Sequence, residues 1–167
     1  MPMRRSLLIL GALVGLAALG LGAVLLGDVG EFVPSSERTL LGADIGAAER
    51  EAVVARSGLD LPAAAVVHAY HAQSSLDQSV LALVTLPRAA ADSLLAAPPF
   101  DAAVWRAAPD VPTLEAALAT FPAWPTTGET RPGRRTTLDL APGRQLTLYA
   151  DGDSADTRTL SIQWFTY

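Results

Sequence analysis

Cysteine is absent from this 167-residue chain, and so is lysine. Without cysteine there is no disulfide framework, no thiolate metal site, no cysteine nucleophile and no lipid attached through sulfur. All 12 basic residues are arginine, set against 17 acidic residues, and the net charge is −5. With that balance and no basic cluster, a nucleic-acid partner bound by charge is excluded. Histidine occurs twice, at His68 and His71. After Gly58 the glycines stand singly at expected turns, so no glycine-rich phosphate loop is present, and no G-x-S-x-G appears either.

What the chain does have is one long apolar run. Ser6 to Leu26 is 21 residues with 16 apolar positions and no charge. As a helix rising about 1.5 Å per residue it would span roughly 31 Å, the thickness of a bilayer core. Arg4 and Arg5 precede it, and Asp28 and Glu31 follow it. That asymmetry keeps the N-terminus in the cytoplasm and sends the rest outside, to the periplasm or the cell exterior. The competing reading is a cleaved signal peptide, with Ala18-Leu19-Gly20 as its site. The run continues through Leu21, Val24, Leu25 and Leu26, which favours a retained anchor. Gly11, Gly15, Ala18 and Gly22 fall on one face of this helix and are candidates for helix–helix packing in a homodimer.

The expected domains are 1–27 as cytoplasmic stub and transmembrane anchor, 28–43 as tether, and 44–167 as one extracytoplasmic domain. Within the last, Asp44 to Ser57 reads as a helix. Asp44 would cap it, Glu49, Arg50, Glu51 and Arg56 would face water, and Gly58 would end it. Residues 64–72 and 79–86 read as a hairpin around the polar loop QSSLDQ. Val80, Ala82, Val84 and Leu86 share one face of the second strand and Leu81 and Leu83 the other, so that strand should be central and covered on both sides. Pro87 opens a second helix that Pro98-Pro99 stops, and a third runs over about 112–121. Residues 100–110 carry no clear pattern, and 122–134 read as loop. Alternation over 135–140, 144–150 and 157–166 predicts an antiparallel meander, with Pro142-Gly143 as one turn and DGDSAD as another. The fold class is α+β: a transmembrane helix, then one antiparallel sheet of four to six strands with two or three helices on one face.

One stretch resembles a known kind of protein. Gly58 to Leu95 has a Leu-Pro entry (Pro62), a hairpin, then a second Leu-Pro (Leu86, Pro87) opening a helix with Asp92 before Leu94 and Leu95. This is similar to small secreted or membrane-anchored extracytoplasmic domains of unknown function from GC-rich bacteria. Many of those begin with a lipobox, which this chain lacks. The resemblance implies a location and an architecture, and no activity.

Candidate chemistry is sparse. His68 and His71 on a strand should point to opposite faces and so fail to chelate one ion, and no metal or cofactor site is expected. Gly152-Asp153-Ser154 copies the nucleophile block of the GDSL-type hydrolases. It stands near the C-terminus with no histidine after it, so a polar hairpin loop is the better reading. Asp151, Asp153 and Asp156 make a fragment of a calcium loop that lacks the central Gly and distal Glu. Trp105, Trp124 and Trp164, with Phe121 and Phe165, could line a groove. Trp124 lies in a proline-rich loop and is the candidate partner contact. The reading is therefore a single-pass domain of the cell envelope, anchored in the bilayer through 6–26. It would bind an envelope protein or peptide without catalysis. The alternatives are an envelope hydrolase using His68 or His71 with carboxylates, and a structural subunit pairing through its membrane helix.

Overall fold

The computed structural model describes residues 36–75, 77–125, 127–151 and 156–167. The apolar run, with Gly11, Gly15, Ala18 and Gly22, lies outside them, as do the Gly152-Asp153-Ser154 block and its neighbour Ala155. No described helix is long and apolar enough to cross a membrane.

Seven strands form one antiparallel sheet: β1 (Ser36–Leu41), β2 (Val66–Ser74), β3 (Gln78–Pro87), β4 (Arg106–Pro112), β5 (Thr130–Ala141), β6 (Arg144–Asp151) and β7 (Thr157–Thr166). Their order across the sheet is β1-β2-β3-β7-β6-β5-β4. Two meanders, β1–β3 and β4–β7, thus meet where β3 pairs β7. Among the described residues three α-helices accompany the sheet: α1 (Ala47–Ser57), α2 (Arg88–Leu95) and α3 (Leu114–Thr120).

The alternation of the central strands builds the core. On the first face, Val80, Ala82, Val84 and Leu86 of β3 meet Leu160, Ile162 and Trp164 of β7 and Leu146, Leu148 and Ala150 of β6, all buried. This face packs with Val53 of α1, Ala91 and Leu95 of α2, and Leu59, Leu61 and Phe100 of the connecting loops. Burying a side chain of this kind is worth about 1.5–3 kcal/mol. A smaller cluster on the second face joins Ala69 and Leu83 to Ala117, with Leu114, Leu118 and Phe121 against it.

The structure corrects several expectations. The sheet has seven strands, not four to six, because both edges lie in segments without alternation. β1 is almost wholly exposed and held by pairing with β2, so the tether expected over 28–43 already contains a strand. β4 carries Pro109 and Pro112 and has a register shift between Ala108 and Val111, features tolerated at a sheet edge. The loop expected over 122–134 gives way to β5 at Thr130. Gly133 makes that pairing possible, since a Cβ there would lie 2.4 Å from the Ala150 carbonyl oxygen and 2.8 Å from Val111. The helices do not share one face: α3 lies on the second, over Ala69 and Leu83.

α1 also starts later than expected. Asp44 sits in a short 3-10 turn, and Gly46 is the N-cap. Glu49 is buried rather than wet, because its Oε2 accepts the Gly46 N–H at 2.8 Å and its Oε1 pairs with Arg38 at 2.9 Å. The first of these contacts, above all, holds the carboxyl below its usual pKa. The inner face of α1 is accordingly Glu49, Val53 and Ser57, spaced by four. Pro142-Gly143 forms the expected turn, with Gly143 at φ 71°. α2 ends before Pro98-Pro99 as expected.

The register makes a direct prediction. Leu148→Asp and Ile162→Asp, at fully buried positions of the first face, should each cost more than about 4 kcal/mol and unfold the domain. Asp139→Ala, at an exposed position, should change stability by about 0.5 kcal/mol or less. Chemical denaturation of the three variants checks this; equal losses would contradict the register.

Candidate functional site

The second face is covered over only part of its width. One row crosses all seven strands: Leu41, Ala69, Leu83, Ser161, Tyr149, Arg135 and Arg106, each opposite the next. α3 covers the row at Ala69 and Leu83. Thr113 places the start of α3, its hydroxyl accepting the Ala116 N–H at 3.3 Å. The chain then leaves α3 through Phe121, and Trp124 reaches Tyr149, with ring centroids 4.5 Å apart and planes tilted by 38°. Trp124 remains 39% exposed. Beyond it Arg135, Thr137 and Asp139 of β5 and Arg106 of β4 are exposed.

The neighbouring row on this face runs Thr39, His71, Leu81, Gln163, Thr147 and Thr137. Its polar groups serve one another. Thr39 Oγ1 and His71 Nδ1 are 2.9 Å apart, and the hydroxyls of Thr137 and Thr147 are 3.1 Å apart. In the next row the Gln145 amide donates to Asp139 at 3.3 Å. The open half is thus a surface of hydroxyl, amide, guanidinium and carboxylate groups bordered by an indole. It can hydrogen-bond and stack; no pair of carboxylates faces a nucleophile on it among the described residues.

The two histidines stand apart in role. His71 is buried in the row just described. His68 falls where the β2–β3 register shifts, between Val67 and Ala69, so strict alternation does not set its direction. Its Nε2 is buried with no hydrogen-bond partner among the described residues, and burial lowers its pKa. No group of three His, Asp or Glu side chains suited to a metal occurs among the described residues.

On the first face, Asp92 and Arg158 form the main ionic link. Arg158, with its side chain 9% exposed, donates to Asp92 at 2.9 Å and to the Asp151 carbonyl at 2.5 Å. Asp151 in turn accepts the Thr159 N–H at 2.8 Å. Arg134 lies over the Trp105 ring at 4.6 Å, and burial, then the charge of Arg158, lowers its pKa. This network ties α2 to the start of β7. Trp164, under Arg56 at 4.7 Å, belongs to the core.

Trp124 is the residue that the sequence singles out and the structure leaves open. Tyr149, Arg106 and Arg135 were not singled out; the alternation of β6 could have found Tyr149 as an outward residue, but the pairing of Arg106 with Arg135 is set by a strand without pattern. The chain matches no described protein family, no characterised protein and no solved structure.

His68 supplies a prediction. The unfolded chain accepts a proton at about pH 6.5, which the fold resists, so stability is intact above that pH and falls as pH drops toward the lower folded pKa. Melting curves between about pH 7 and 5.5 should show the wild type losing stability and His68→Gln losing less. Parallel curves would contradict it.

Proposed function

We propose that the chain is a single-pass, membrane-tethered domain of the cell envelope, facing outside the cytoplasm, that acts by binding rather than catalysis. The open half of the second face is its binding surface, and an envelope protein or peptide is its partner. One observation carries this: Trp124, on a proline-rich loop, is braced against Tyr149 while keeping 39% of its surface in water. A rigid indole beside hydrogen-bonding side chains combines contact area with little entropy loss on binding, as in many recognition surfaces. The apolar run 6–26 and its flanking charges support the tether.

Placing a photo-crosslinking residue at Trp124 of the full-length chain, in its native cells, tests the reading. Illumination should give discrete adducts, all in the membrane fraction, whereas the same residue at Glu51, exposed on α1, should give none. No adducts at Trp124 would overturn the binding surface. A soluble product shortened by about 20 residues would overturn the tether.

A further inference from the structure

Four of the chain's arginines lie on β4 and β5, and two of them face each other directly. Arg106 is opposite Arg135 in register, on the second face. Both are exposed, and neither has a carboxylate partner among the described residues. Like charges directly opposed on neighbouring strands are destabilising. The acids that form ion pairs do so with other arginines: Glu49 with Arg38, Asp92 with Arg88 and Arg158, and Glu129 with Arg131. Both arginines line one cleft of about 280 Å³, together with Val104, Thr136 and Thr137. The Thr136 hydroxyl donates to the Val104 carbonyl at 3.1 Å and fixes that wall. Val104 is 74% exposed, which gives the cleft an apolar lip.

We infer that this cleft binds a phosphate oxyanion, with Arg106 and Arg135 gripping it from the two strands. Guanidinium is planar and presents paired donors that match phosphate oxygens, and the anion removes the repulsion between the two cations. The same chemistry is offered by free phosphate and by the phosphate of a lipid headgroup. The inference rests on the reading of the open second face as a binding surface and names the ligand chemistry at one end of it.

The test is calorimetric titration of the full-length chain in non-ionic detergent at constant ionic strength. The two titrants are inorganic phosphate and monomeric dihexanoyl phosphatidylglycerol, each compared with sodium chloride. Binding of at least one titrant beyond chloride is expected. Arg106→Gln and Arg135→Gln should each weaken it at least about tenfold, and the two Lys variants should weaken it as well, because an ammonium lacks the fork. Arg144→Gln, an exposed arginine at the start of β6, should bind as wild type. Both Gln variants should melt no lower than wild type in phosphate-free buffer. Binding of phosphate assigns the free ion, and binding of the lipid alone assigns the headgroup. No binding beyond chloride, or binding that survives both Gln substitutions, overturns the inference. Adducts at Trp124 without binding of either titrant would sink this inference alone, and binding of either titrant without adducts would sink the binding reading of Trp124 alone.

Discussion

The pairing of β3 with β7 is the constraint on which the rest of the sheet depends. It runs in unbroken register from Ser79 opposite Phe165 to Pro87 opposite Thr157, and it alone joins the two meanders. Side chains alternate along both strands, so a slip of one residue would carry Val80, Ala82, Val84 and Leu86 to the second face and expose the core. The cost of such a slip would be several buried aliphatic side chains, each worth about 1.5–3 kcal/mol. The partners lie far apart in sequence, so the sheet is closed by a long-range contact rather than by local hairpins.

From that register follows the inequality of the two faces. The first receives α1, α2 and their loops and is dry from Tyr70 to Leu146. Among the described helices the second receives α3 alone, whose seven residues make a helix of about 10 Å. So short an element covers Ala69 and Leu83 but cannot extend to the strands beyond. Trp124 lengthens the cover by one ring and stops over Tyr149. What lies past it, Thr137, Asp139, Arg135 and Arg106, stays in water. The candidate site is thus the part of a sheet face that no helix among the described residues covers.

The sequence carries the middle of this fold well and its margins poorly. Period-two alternation in β3, β6 and β7 reflects burial against a core: Leu148 and Ile162 are buried while their neighbours Thr147 and Gln163 are only partly covered. Edge strands bury little, so SERTLL and RAAPDVP have no alternation to read. Glu49 misleads for a different reason: a carboxylate on a helix normally faces water, and only the cap at Gly46 and the approach of Arg38 from β1 draw it inside. Leu81 and Leu83 already signal cover on a second face, yet which helix supplies it depends on tertiary geometry. Trp124 is legible as a candidate because a tryptophan among prolines has no periodic place in a core. Arg106 with Arg135 is not, because the pair exists only through the register of an unpatterned edge.

The absence of native cysteine makes the most direct test of the binding surface a labelling experiment. A single cysteine at Thr137, on the open half, or at Glu51, on the exposed side of α1, is read by its rate of reaction with a membrane-impermeant maleimide. Rates are compared between the purified full-length chain and intact native envelopes. The account predicts rapid labelling of both in the purified chain, marked slowing at Thr137→Cys in envelopes, and little change at Glu51→Cys. Equal labelling of Thr137→Cys in both settings would contradict it.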